Sequence, residues 1–352
     1  MDPVTHVATG VLISQLLPAP SRFWAALAGA AFALMPDADY FLVWIDRLAF
    51  VRHHRGFSHS LIALPLLALC GAGVNAAIGG KDWLRPFFIL GAAVLASHLL
   101  LDWATSYGTQ LLSPFSQQKF SLDWLFIIDP YLTAILLAGA LAALCSPGWG
   151  RGVGAVCLAG AAAYLLLCGC YHHQALSLAR QVFAGEVQAG AAVAALPQPL
   201  SPRRWQLIAA RPREISQTMV QLPYRLWLPL KGAIEQVQEV AALTPYPGPL
   251  AAAYRPPESL LVQERRGVAA PLPSLSPEAR RILDLYLDFA RFPLLARVEP
   301  QGDGFLLAWM DLRFTVPGRD FPFVLRLRQD ARARLQEALL GQVEAGKIHK
   351  EP

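Results

Sequence analysis

The sequence predicts a mainly α-helical protein: a polytopic helical membrane bundle of about six segments, followed by a small α+β soluble domain. Three observations predict this. Charge is scarce, at 16% of the 352 residues, against roughly 25% in an average soluble chain. It is also unevenly placed: residues 1–173 hold eight basic and eight acidic side chains, so the whole excess of +5 belongs to residues 174–352. Long uncharged runs fill the first part, and proline-rich connections the second. The expected domains are therefore a membrane-embedded half, 1–173, and a basic soluble half, 174–352.

The elements follow in order. Met1–His6 lack the positive start of a cleavable signal peptide, and none is expected. Val4–Pro20 is nearly uncharged and just long enough to span a thin bilayer, with Gly10 and Ser14 offering a small-residue packing face. Phe23–Met35 is a second short span, ended by Pro36. Tyr40–Val51 is amphipathic and suits the membrane interface. Leu61–Ile78, Pro86–Leu101, Leu125–Leu144 and Gly152–Tyr171 complete the six segments.

In the second half, Gln174–Gly190 reads as helix and Pro197–Pro202 as a linker. Trp205–Ala209 and Ile215–Leu222 read as strands, and Lys231–Leu243 as a helix. Residues 245–277 hold eight prolines and read as an irregular excursion. Ser276 caps a helix running to about Phe292. Phe305–Phe314 and Phe323–Leu327 alternate as strands, and Ala331–Ala345 reads as a final helix. The five cysteines all lie in apolar runs, and residues 174–352 have none. Together with its basic charge, this favours a cytoplasmic soluble domain.

The chemistry-bearing residues crowd the apolar half. All eight of its acids are aspartates, and it holds seven of the eight histidines. Short aspartates suit caps and turns at membrane ends, but carboxylate and imidazole together are also ligands for divalent ions, and ionisable groups in membrane segments are expensive to keep. Asp37 and Asp39 follow Pro36, His54 and His59 flank a glycine turn, and His98 and Asp102 stand one helical turn apart. Threaded as six alternating segments, His6, Asp37, Asp39, the His53–His59 loop, His98, Asp102, Asp123 and Asp129 reach one membrane face.

Three motifs then stand together: Pro36-Asp37-x-Asp39, His54-Arg55-Gly56-x-Ser58-His59-Ser60, and Ser97-His98-x-x-x-Asp102 with Gly108 following. In combination, with His6 and Gly10 ahead of them, they resemble the YdjM-like family of membrane-bound metal-dependent hydrolases. The resemblance covers roughly residues 1–140; Ser58 departs conservatively from the threonine of many relatives. It implies a multi-pass bacterial inner-membrane protein and a ligand set of His6, Asp37, Asp39, His54, His59, His98 and Asp102. Seven ligands suit two ions, or one ion and groups that orient its imidazoles. The cofactor expected is a divalent metal, zinc first and manganese or magnesium as alternatives, one or two per chain.

Asp129 is open as general base or orienting residue. Arg55 is placed to neutralise an anionic substrate, and His53 is read as a surface neighbour. The expected function is metal-dependent hydrolysis of a phosphoester or similar substrate at the membrane face; the alternative is a non-catalytic metal-binding membrane protein with a structural, transport or regulatory-anchor role. The expected partners are membrane lipid and a small-molecule or lipid-linked substrate. Nucleic acid is disfavoured, since the Arg-rich second half reads as a solvated basic surface.

Overall fold

Polar caps and prolines set the helix boundaries of the first half. In the computed structural model, which describes residues 1–343 apart from 46, 147, 226–229, 244–245, 247–249, 251 and 269–272, the chain divides into two units, Met1–Gly169 and Cys170–Pro352. Asp2 caps α1 (Pro3–Leu16), its carboxylate accepting from Thr5 N. Ser21 caps α2 (Arg22–Leu34) in the same way from Trp24 N. At Pro36 the chain tightens into a 3₁₀ turn, Pro36–Phe41, because a proline cannot continue the α-helical bonding. Two short helices follow, α3 (Leu42–Ile45) and α4 (Arg47–His53), then a second 3₁₀ turn, Phe57–His59. The expected interfacial helix over Tyr40–Val51 starts later than expected, since Tyr40 and Phe41 belong to the 3₁₀ turn, and its residue 46 lies outside the described residues. The long helices are α5 (Ala63–Gly79), α6 (Leu84–Trp103), α7 (Pro130–Cys145) and α8 (Gly150–Val182), which begins in the first unit and ends in the second.

The expected count of six spans is not reached. Among the described residues, Lys81–Trp103 and Gly150–Val182 are long and apolar enough to cross a membrane. Two bent pairs raise the number to four if each is one span: Arg22–Leu34 with Pro36–Trp44, bent by 49°, and Phe50–His59 with Ala63–Gly79, bent by 73°. α1 and α7 fall short because 14 and 16 residues reach only about 21–24 Å at ~1.5 Å per residue, against a hydrocarbon core of about 30 Å.

α1 and α2 cross at their glycines. A Cβ at Gly29 would lie 2.5 Å from Gly10 O, and one at Gly10 would collide with the Gly29 carbonyl and lie 3.0 Å from Ala33 Cβ. Backbones this close exclude any side chain, so Gly10→Leu is expected to lower the melting temperature of the detergent-solubilised protein. Overpacking of a tight contact costs about 1–3 kcal/mol or more. An unchanged melt would show that the two helices do not meet there.

The second unit is sheet-rich. After α9 (Ala184–Gln188) come β1 (Ala192–Pro197), β2 (Arg204–Arg211), β3 (Glu214–Gln221), β4 (Ile234–Ala241) and β5 (Leu260–Arg266). They form one sheet in the order β1-β2-β3-β5-β4, antiparallel except for the β4–β5 pair. Beyond α10 (Pro277–Phe289), capped by Ser276, the strands β6 (Pro293–Gln301), β7 (Gly304–Asp311), β8 (Phe321–Gln329) and β9 (Leu335–Val343) form an antiparallel meander. Leu196, Ile208 and Ile215 of the first sheet share a core with Leu294, Met310, Phe321 and Val324 of the second. Such a two-layer arrangement buries one face of each sheet.

Four expectations are corrected here. Lys231–Leu243 is strand β4: Ile234, Val237 and Val240 are spaced like a helical stripe, but cross-strand bonds to β5 decide the conformation. The described part of Ala331–Ala345 is strand β9 paired with β8, and 344–345 lie outside the described residues. The linker Pro197–Pro202 is the connection of a hairpin whose first strand, β1, ends at Pro197, and the proline-rich excursion contains the largely buried strand β5. The whole is a helical half followed by a sheet-rich half.

Buried polar side chains pin the second unit. Arg265 is fully buried and donates to Ala242 O at 2.7 Å and to Gln263 Oε1 at 2.8 Å. Burial pushes its guanidinium down to about 10, which leaves it charged at neutral pH. Asp311 accepts from Phe292 N (3.1 Å) and Arg313 N (3.0 Å) on one oxygen, and from Arg291 N (3.2 Å) and Arg313 Nε (3.1 Å) on the other. The Arg313 side chain closes this knot by donating to Phe289 O at 3.0 Å, between the rings of Phe289 and Phe314.

Candidate metal centre

Asp37 and Asp39 stand on the 3₁₀ turn that Pro36 forces after α2. His59 closes the second 3₁₀ turn, and His98 and Asp102 share one face of α6. These three stretches bring four ligand atoms, Asp37 Oδ1, His59 Nε2, His98 Nε2 and Asp102 Oδ2, within 4.8 Å of one another. His59 Nε2 lies 3.2 Å from His98 Nε2, 3.2 Å from Asp102 Oδ2 and 3.3 Å from Asp37 Oδ1. His98 Nε2 lies 3.4 Å from Asp102 Oδ2 and 3.7 Å from Asp37 Oδ1.

Hydrogen bonds on the far sides of the rings fix the protons. His98 Nδ1 lies 2.8 Å from Ala33 O. A carbonyl only accepts, so Nδ1 carries the hydrogen and, in the neutral ring, Nε2 presents its lone pair. Ser58 Oγ donates to Asp39 Oδ2 at 2.9 Å and therefore accepts from His59 Nδ1, also at 2.9 Å. The His59 lone pair likewise points into the cluster. Two imidazole lone pairs and two carboxylate oxygens thus converge, and Asp102 Oδ2 is buried without a hydrogen-bond donor. Acceptors packed this way repel unless a cation sits among them. A tetrahedral site with bonds of about 2.0–2.2 Å has ligand–ligand edges of roughly 3.3–3.6 Å, close to the spacings found. The set fits a small divalent ion.

The other expected ligands surround this group. Asp39 accepts from Ser58 Oγ and from Arg55 N at 3.1 Å, and lies 2.9 Å from His54 Nδ1. The His54 ring stacks on Phe50, with Tyr107 at its edge. His6 stacks on His98 with centroids 3.7 Å apart, and its Nε2 lies 3.3 Å from Asp102 Oδ1. The Met1 amino group also contacts that oxygen. Arg55 is buried and holds Asp102 through NH2 at 2.9 Å, while NH1 donates to Thr105 Oγ1 at 2.8 Å. Its backbone is left-handed at φ 57°, a conformation sustained only when the surroundings demand it. The demand here is visible, since Gln110 N donates to Arg55 O and Arg55 N to Asp39. Gly56 follows because a Cβ there would lie 2.6 Å from His53 O.

Asp129 stands elsewhere in this half. It caps α7, accepting from Tyr131 N, Leu132 N and, at 2.9 Å, from the Tyr164 hydroxyl. His53 is exposed, and Asp123 is a buried left-handed residue in the connection after α6. The Ala33 carbonyl, Thr105 and Tyr107 escaped the sequence reading. Thr105, three residues beyond Asp102, carried a weak helical-spacing signal; a backbone carbonyl carries none.

The family model described as YdjM inner membrane protein matches residues 1–175. The uncharacterized protein YfhP of Bacillus subtilis (strain 168) is 26% identical over 140 residues, 38% of this chain. The match spans 43% of that relative's length. No solved structure matches the chain.

Proposed function

Because residues 1–175 of the chain belong to the YdjM inner membrane protein family, we propose that this half is a metal-dependent hydrolase in which His59, His98 and Asp102 hold the ion and Asp37 works at its open side. One observation carries this: the side chains of His59, His98 and Asp102 are 0%, 1% and 0% exposed, whereas that of Asp37 is 17% exposed. Catalytic zinc centres use three protein ligands and leave a fourth position for exchange. Zinc suits two imidazoles and two carboxylates better than magnesium or manganese, which favour oxygen-rich shells. When bound, the ion supplies Lewis acidity that acidifies water and polarises a phosphoester or similar electrophile.

The chain's residues do the rest. Asp39 and Ser58 hold the His59 ring, and Ala33 O holds that of His98. Arg55 fixes the Asp102 carboxylate through its second oxygen. Asp37 Oδ1, on the accessible side, is placed to take a proton from water as general base. The competing reading, a non-catalytic metal site, has its own support: the four atoms are enough in number to fill a four-coordinate shell without any outside ligand.

Asp37→Asn separates the two. As base, Asp37 is dispensable for retention, so the variant keeps its ion while turnover on a panel of phosphoesters falls by about 10²–10⁴. Loss of the ion together with Asp37, measured by elemental analysis, would instead make it a closing ligand and favour the non-catalytic site.

A further inference from the structure

We propose that the second unit docks on anionic lipid through a basic patch at one end of its first sheet, formed by Arg203, Tyr224, Arg225 and Lys231. The inference is independent of the metal centre. It starts from α8, whose sequence carries no Asp, Glu, Lys or Arg between Arg151 and Arg180. The run of about 20 residues from Gly152 to Tyr171 is ~30 Å long, one hydrocarbon thickness. Exposed Trp149 and Arg151 mark one boundary, where aromatic and basic residues anchor spans. Tyr171-His172-His173 stand at the other. Gln174 follows about 4–5 Å beyond Tyr171, at the depth of the lipid headgroups.

The patch is tied to this level of α8. Gln174 Nε2 donates to Arg225 O at 3.0 Å. Gly232 packs on the same helix one to two turns further along: a Cβ there would lie 2.6 Å from Val182 Cγ2 and 2.9 Å from Leu178 Cδ1. The start of β2 and the end of β3 meet at the same place. Leu222 N donates to Arg203 O at 2.8 Å, and Arg203 NH1 to Leu222 O at 2.7 Å. The Arg203 guanidinium then lies over the Tyr224 ring at 3.5 Å.

Charge and exposure identify the partner. Arg225 and Lys231 are exposed, and Tyr224 is 80% exposed. Among the described residues, no carboxylate pairs with Arg203, Arg225 or Lys231. At the far end of the same sheet, Arg211 and Arg266 are instead paired with Glu214 and Glu239. Between Arg225 and Lys231 the sequence reads Leu-Trp-Leu-Pro-Leu. An apolar, Trp-containing run flanked by cations suits a lipid surface. Cations without carboxylate partners at headgroup depth meet the anionic phosphates of the bilayer. That depth favours lipid over nucleic acid as the partner.

The test uses the full chain in nanodiscs of phosphatidylcholine, with and without phosphatidylglycerol. Hydrogen exchange of peptides covering 222–233 is compared between the two discs. The expected result is exchange slower by about tenfold or more in the anionic disc. That ratio should fall about fivefold for each cation removed, in Arg225→Gln and in Lys231→Gln. It should vanish at about 1 M salt, where the screening length is about 3 Å. Peptides of the β6–β9 meander should exchange equally in both discs. Equal exchange of 222–233 in the two discs overturns the patch, as does anionic slowing that the double variant Arg225→Gln/Lys231→Gln retains. Slowing that spreads over β6–β9 marks a general change of stability and also overturns it. A single-stranded oligonucleotide that slows these peptides in the neutral disc, where anionic lipid leaves them unchanged, would make the surface a nucleic-acid site and sink the lipid proposal.

Discussion

His59→Ala is expected to strip the ion from the protein. The substitution removes one of four converging ligand atoms and also the ring through which Ser58 and Asp39 are tied to the site. Asp37 and Asp102 are then left facing each other without the imidazole between them, and the remaining charges lose their compensation. Losing an outer orienting partner typically lowers metal affinity about 10–100-fold, so losing the ligand itself should cost more than that. Asp39→Asn belongs to the milder class, and exposed His53→Ala should do nothing. Elemental analysis after dialysis against a chelator reads all three. Since one four-atom group is found among the described residues, the wild type should retain one ion per chain. Equal retention by His59→Ala would remove the centre as described. A ratio of two would bring His54 and Asp39 forward as ligands of a second ion.

Asp311→Ala is expected to be the most damaging single change in the sheet-rich unit. Asp311 and Arg313 form a buried pair with side chains 0% and 3% exposed. Removing the carboxylate leaves a guanidinium and the amides of Arg291, Phe292 and Arg313 without their acceptor. Breaking a buried pair from one side costs about 3–5 kcal/mol, out of a total stability of roughly 5–15 kcal/mol. Hydrogen exchange of the β6 and β7 amides should accelerate by about 10² or more. Asp311→Ala with Arg313→Met should recover part of the loss, because the stranded charge goes with its partner. The more accessible pair Arg211–Glu214, with side chains 37% and 28% exposed, offers the contrast: it is worth no more than about 1 kcal/mol. Unchanged exchange in Asp311→Ala would mean the knot is decoration.

The two halves were legible to different degrees, for physical reasons. In the first, ligand-type residues in apolar surroundings are costly, so Asp37, His59, His98 and Asp102 stood out in the sequence. Their division into a converging four and an orienting Asp39 and His54 did not. That division depends on the turn at Pro36, the left-handed Arg55 and a carbonyl of α2, none of which has a side-chain signature. Asp129 was flagged by the same expense, yet capping α7 and bonding Tyr164 account for its placement. In the second half, β2 and β3 are almost continuously buried and β7 and β8 largely so, and their strand-forming composition is readable. β4 is almost wholly exposed, so burial imposes no alternation on it. β9, with Leu335, Ala338, Leu339 and Leu340, has the composition of a helix. Pairing with a distant strand overrides local preference in both.

The converging groups of the centre come from residues 37, 59, 98 and 102, and that spacing dictates a timetable. During synthesis the chain emerges in order, and the first carboxylate is made long before the last. Until α6 has been delivered and packed beside α2, the ligand set is incomplete, and Ala33 O has no His98 to hold. An ion captured at this site is therefore a signature of finished assembly. A nascent chain stalled before residue 98 should be blind to metal, and the loaded state should resist membrane proteases that clear half-inserted chains.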